Sequence, residues 1–129
     1  MQITASVVCL NVDNVAASSA FLQRHFGFRQ EMAADGFVSL AREDVGMNVV
    51  FHRRGLEILP EPFRDQHLSG VAIAFTVADL GAEEARLRAE GLTFTLPLTE
   101  QPWGERLFQV TDPNGLVVEL MEWSAPQPG

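Results

Sequence analysis

Apolar positions recur along the chain in two rhythms, and the order of those rhythms occurs twice. Residues 3–12 alternate weakly and are β-rich, which predicts a strand. Asp13 and Asn14 follow as helix N-cap types. Over 16–26 the spacing is helical, with Ala17, Phe21, Leu22 and Phe26 on one face, and Gly27 stands where a left-handed residue ends a helix. Three short strands are predicted next, over 28–32, 37–42 and 47–53, with turns at Asp35-Gly36 and over 43–46. The first half therefore reads β-α-β-β-β.

Residues 54–69, with Pro60, Pro62, Phe63 and mixed charges, interrupt the pattern and read as a connecting loop. The same order then begins again: a strand over 71–77, a cap at Asp79, a helix over 80–90, Gly91, and strands over 92–96, 105–111 and 116–123. Asp112-Pro113-Asn114-Gly115 is a strong turn signal, because Pro presets φ and Asn-Gly tolerates positive φ. The stretches 12–27 and 77–91 nearly match in length, which supports a true internal repeat. The repeat is too long for a solenoid unit. The predicted fold is α+β: two pseudo-symmetric βαβββ modules, each a curved mixed sheet with a helix on its convex face. Module one spans 3–53 and module two 70–123, within one domain covering 1–129.

Alternation along each strand assigns its faces. Val8, Leu10, Val12, Val38, Leu40, Met47, Val49, Phe51, Ile73, Phe75, Val77, Phe108, Val110, Val118 and Leu120 form the helix side. The opposite face carries Val7, Cys9, Asn11, Phe37, Ser39, Asn48, Val50, His52, Ala72, Ala74, Thr76, Leu107, Gln109, Val117, Glu119 and Met121. Small, apolar and sparsely polar side chains suit a ligand cavity better than a solvated surface. Glu119 stands among five apolar residues in 116–121, where a carboxylate is costly unless paired.

Charge and composition narrow the function. The 129 residues carry a formal net charge of −8, which argues against nucleic acid as a partner and mildly favours a cationic ligand. No apolar run is long enough for a membrane span and no signal-peptide pattern opens the chain, so a cytoplasmic protein is expected. The single cysteine, Cys9, fits a reducing compartment and is expected as a small buried apolar residue. His52 is expected to be a surface or hydrogen-bonded structural histidine, Arg106 to pair with an acid, and Trp123 to be a packing or dimer residue. The acids Asp79, Glu83, Glu84 and Glu90 with Arg86 and Arg88 read as a solvated helix face.

Trp103-Gly104-x-Arg106-x-Phe108-x-x-x-Asp112-Pro113-Asn114-Gly115-x-x-x-Glu119, closing a pair of βαβββ modules, resembles the vicinal oxygen chelate superfamily of glyoxalases, dioxygenases, fosfomycin-modifying enzymes and bleomycin resistance proteins. Over the whole chain that resemblance implies four metal-ligand positions. They fall on Val7, on Ala72, on one of Asn48, Val50 or His52, and on Glu119. Val and Ala cannot coordinate, whereas a catalytic divalent metal needs about three protein ligands. No metal or other cofactor is therefore expected.

The metal-free branch that remains is similar to bleomycin resistance proteins. Two stretches carry the match, Gln101-Pro102-Trp103-Gly104 and Phe28-Arg29 … Asp35-Gly36-Phe37 … Arg42-Glu43-Asp44-Val45. The resemblance implies non-catalytic sequestration of an aromatic or cationic antibiotic-like molecule in a groove at a homodimer interface. Trp103 would face Phe37 over that groove, with Glu119 at its floor. The ligand-binding set it suggests is Phe37, Ser39, Asn48, Val50, His52, Phe63, Trp103, Leu107, Gln109 and Glu119. The alternatives are a metal-dependent lyase or dioxygenase with a rearranged ligand set, and a metal-free enzyme using Glu119 or His52 as acid–base. Trp103 as a loop anchor, Phe37 as core, and Glu119 satisfied by His52, Asn48 or Gln109 are the structural alternatives for the individual residues.

Overall fold

The computed structural model describes residues 1–123. The elements run β1 (Val7–Val12), α1 (Val15–Phe26), β2 (Arg29–Ala34), β3 (Phe37–Ala41), β4 (Asn48–Arg53), β5 (Ala72–Thr76), α2 (Leu80–Ala89), β6 (Phe94–Glu100), β7 (Glu105–Thr111) and β8 (Val117–Trp123). They form two four-stranded mixed sheets, ordered β1-β4-β3-β2 and β5-β8-β7-β6. Each sheet contains one parallel pair, β1 with β4 and β5 with β8. This is the predicted α+β, doubled βαβββ fold. The chain divides into two compact units, Met1–Ser69 and a second that begins at Gly70. Among the described residues no helix is long and apolar enough to cross a membrane.

In the first unit Asn14 caps α1, its side-chain oxygen accepting from the Ala17 amide at 3.0 Å. Gly27 ends the helix at φ 68°, a conformation that costs a side chain dearly. Phe21, Leu22 and Phe26 of α1 are buried with Leu10, Val12, Val38, Leu40, Val49 and Phe51, the helix-side set read from alternation. Fully burying one such side chain is worth about 1.5–3 kcal/mol. Arg42 closes this end of the unit: its guanidinium donates to the Phe26 carbonyl and forms a two-point pair with Asp44, at 2.6 and 3.3 Å. That pairing holds the Asp44 carboxyl below the usual carboxylate range.

The second unit repeats the devices with other residues. Asp79 caps α2 through the Ala82 amide at 3.1 Å, and Glu122 of β8 accepts from the Leu80 amide at 3.3 Å. The Leu92 amide returns to the Leu87 carbonyl at 3.1 Å, with Gly91 at φ 84°. Phe108, Val110, Leu116, Val118 and Leu120 are buried with Leu80 and Leu87. Arg86 pairs with Glu83 and Glu90 and Arg88 with Glu84, as read for a charged face, while Arg88 also lies over the Phe94 ring at 4.1 Å. Arg106 finds its acid in Glu122, 3.0 Å away.

Several boundaries differ from the sequence reading. The first strand begins at Val7 rather than residue 3; Ile3 is exposed, because β1 starts only where β4 offers a partner. Met47 lies just outside β4 and is exposed. The strand expected over 92–96 runs Phe94–Glu100 and passes through Pro97. β6 is an edge strand whose register shifts on both sides of Leu96, and there a missing amide donor is tolerated. At 112–115 only Gly115 takes positive φ, 91°; Asn114 does not share it.

Candidate functional site

On the first unit's sheet, the face turned away from α1 is set by register. Val7 lies beside Asn48, Cys9 beside Val50, and Asn11 beside His52 on the parallel pair; Ser39 then pairs with Val50 and Phe37 with His52. Five of the predicted ligand-binding residues, Phe37, Ser39, Asn48, Val50 and His52, thus share one face. Val50 and His52 are buried, at 5 % and 7 % exposure, and Phe37, Ser39 and Asn48 are half-buried. Asn48 donates to Glu31 at 3.1 Å, and Glu31 pairs with Arg29.

His52 corrects the expectation of a surface or hydrogen-bonded histidine. Burial pushes its imidazole below the ordinary histidine range, and its Nδ1 has no hydrogen-bond partner among the described residues. Its ring instead lies 5.8 Å from that of Phe37, tilted by 32°. Phe37 is half-buried and packs on this buried histidine. Cys9, expected buried, is exposed, because β1 is a sheet edge and no described strand covers its outward side.

On the second unit, Ala72 pairs with Val117, Ala74 with Glu119 and Thr76 with Met121, and β7 sets Gln109 opposite Glu119 and Leu107 opposite Met121. Gln109 donates its side-chain amide to Glu119 at 2.8 Å, which answers how this strand carries an acid: one oxygen is satisfied across the ladder. Glu119 and Gln109 are half-buried and Leu107 is buried. The register of that pair depends on the hairpin turn. Asp112, 4 % exposed, accepts from the amides of Asn114 at 2.9 Å and Leu116 at 2.8 Å, while the Gly115 amide closes onto its carbonyl at 3.0 Å.

Trp103 occupies the loop between β6 and β7. The Gln101 amide donates to the Glu105 carbonyl at 2.7 Å and the Gly104 amide to the Gln101 carbonyl at 3.0 Å, with Gly104 at φ 92°. This tight loop leaves Trp103 63 % exposed, so it is not a buried anchor of its own unit. Trp123, in contrast, is half-buried, with an indole N–H that is shielded and unpartnered among the described residues. Phe63 is also largely exposed, in a connecting loop far better organised than its composition suggests. Asn11, which sequence reasoning left out of the ligand set, holds the Phe63 carbonyl at 3.3 Å. Its only signal in the sequence was its place on the cavity-side alternation of β1.

A metal set is not assembled. Val7 and Ala72 occupy equivalent places on β1 and β5, beside Asn48 and Val117; two residues further along the partner strands lie Val50 and Glu119. Val50 is therefore the counterpart of Glu119, and of the three candidates left open by the sequence it is the one that cannot coordinate. Three of the four positions lack a donor, and the fourth is engaged by Gln109. Among the described residues no three His, Cys, Asp or Glu side chains gather as a cation would require. The residues present do not fit a divalent metal.

Solved structures with this fold include a glyoxalase/bleomycin resistance protein/dioxygenase from Nocardioides (22% identity, 100% of this chain and 89% of that one, TM-score 0.77). A lactoylglutathione lyase from Agrobacterium tumefaciens also matches (18% identity, 94% of each chain, TM-score 0.73). TioX from Micromonospora sp. ML1 does too (24% identity, 94% of this chain and 99% of that one, TM-score 0.70). No functionally curated protein matches the chain. The family model for the glyoxalase/bleomycin resistance protein/dioxygenase superfamily matches residues 4–120, and the chain belongs to that superfamily.

Proposed function

We propose that the chain is a non-catalytic binding protein that sequesters an aromatic or cationic, antibiotic-like small molecule. The observation that carries this reading is Trp103: a hydrogen-bonded loop holds this large aromatic residue 63 % exposed, which is costly in water and useful against a planar ligand. Polar groups on the two sheet faces add to it. Glu119 has one oxygen committed to Gln109, and its other oxygen is available to accept from a ligand donor. The net charge of −8 attracts a cation over distance. On the first unit, Phe37 and His52 form an aromatic pair. The loss of donors at Val7, Val50 and Ala72 favours binding over metal-assisted turnover.

Homodimerisation is part of the proposal and is tested by sedimentation. Titrating the purified protein with bleomycin, ethidium and actinomycin D while following tryptophan emission tests the binding itself. Saturable quenching that disappears in Trp103→Phe supports it. Absence of saturable quenching by all three compounds sinks it.

A further inference from the structure

The connecting loop after β4 is a self-closed structure. The Gly55 amide donates to the Arg64 carbonyl at 2.6 Å, pinching the loop at its neck. Inside it Arg64 donates to the carbonyls of Leu59 and Glu57, each at 3.1 Å. The amides of Leu59 and Phe63 close turns onto Leu56 and Pro60. Phe63 sits at the end of this loop and is 58 % exposed.

One residue joins the loop to the sheet twice. The Asn11 side-chain amide donates to the Phe63 carbonyl at 3.3 Å, and the Asn11 carbonyl accepts from the Leu68 amide at 2.8 Å. Asn11 is paired with His52, and His52 with Phe37, so its side chain lies on the face that carries those two rings. The tether therefore brings the Phe63 backbone to the row Asn11–His52–Phe37. His52, 7 % exposed with an orphaned Nδ1, is the one unpartnered polar side chain of that row.

We propose that Asn11 is a positioning residue: through the Phe63 carbonyl it sets the Phe63 ring beside the Phe37–His52 pair, completing an aromatic subsite for the planar part of a ligand. This rests on the binding function proposed above. Asn11 need not touch the ligand; it acts through Phe63.

The test is a double-mutant cycle with ethidium, a flat cation, measured by calorimetry on wild type, Asn11→Ala, Phe63→Ala and the double variant. Thermal melts of all four check that each folds. Contact with one aromatic ring predicts about a fivefold weakening for Phe63→Ala. Asn11→Ala is expected to weaken binding to a similar degree, and the double variant no further, because the two changes remove one contact. Asn11→Asp, which keeps the shape but turns an acceptor on the Phe63 carbonyl, is expected to behave like Asn11→Ala. Without ligand, hydrogen exchange at the Phe63 and Gln66 amides is expected to quicken in Asn11→Ala.

Wild-type affinity in Asn11→Ala beside a weakened Phe63→Ala overturns the positioning role alone and leaves the binding function standing. Additive losses, or unchanged exchange at Phe63, also overturn it. Failure of ethidium, bleomycin and actinomycin D to bind the wild type overturns the binding function and the subsite with it.

Discussion

The hairpin turn at Asp112 offers the sharpest test of how the second unit holds its site. In Asp112→Ala two backbone amides lose their acceptor. Leu116 is fully buried, so its amide finds no water; an unsatisfied buried donor costs about 1–3 kcal/mol. Asn114 is half-buried, so water replaces part of its bond, and the loss there is about 1 kcal/mol. The total is about 3 kcal/mol, or a fall in Tm of about 10 °C for a chain of this size.

Asp112→Asn keeps an oxygen in the same place and is expected to lose less than half as much. The same loosening should reach the site, because the turn sets the register that places Gln109 against Glu119. Calorimetric melts of wild type and both variants, with amide exchange at Leu116, measure this. A Tm for Asp112→Ala within about 2 °C of wild type, less than about 1 kcal/mol would produce in a chain of this size, would refute the reasoning. Equal losses in the two variants would refute it too, since charge rather than acceptor placement would then be responsible.

Other expectations follow from single contacts. Trp103→Ala should change stability by less than about 0.5 kcal/mol, because the indole is exposed, while abolishing the quenching described above. Gly27→Ala should destabilise by about 1–2 kcal/mol in chemical denaturation: its φ is 68°, and a Cβ would stand 3.2 Å from the Arg42 guanidinium. His52, with its pKa lowered by burial, binds its proton more readily when unfolded. Stability should thus fall as pH drops below about 6.5 toward the depressed native value, and level off beneath it. Denaturant melts of wild type and His52→Gln between pH 7.5 and 5 check the sign; an unchanged slope in His52→Gln would remove His52 as its source. Gln109→Leu should leave Glu119 without its ladder partner and cost about 1–2 kcal/mol, read by the same melts.

How much of this was legible in the residues alone can be traced element by element. The doubled β-α-β-β-β order, both N-caps and both helix-ending glycines were written in local chemistry: a carboxamide or carboxylate three residues before an amide, and a glycine where φ turns positive. The two faces of β3, β4, β7 and β8 followed from alternation, because a pleat leaves a strand no other choice. So the set that shares the first sheet's face turned away from α1 was readable. The Asp-Pro-Asn-Gly turn and its Glu identified the superfamily.

Only the tertiary structure decided the rest, wherever the answer depended on what stands across from a residue. Pairing partners selected Val50 rather than Asn48 or His52 as the counterpart of Glu119, and Gln109 as the partner of that acid. Edge position let Pro97 stay within a strand and left Cys9 exposed. The connecting loop gave no periodic signal, because its order comes from irregular bonds: Arg64 reaches carbonyls within the loop, and Asn11 reaches the Phe63 carbonyl from far away in sequence. Local propensity and alternation are properties of neighbours along the chain. Burial, orphaned polar atoms and loop tethers are properties of neighbours in space, and those came only with the fold.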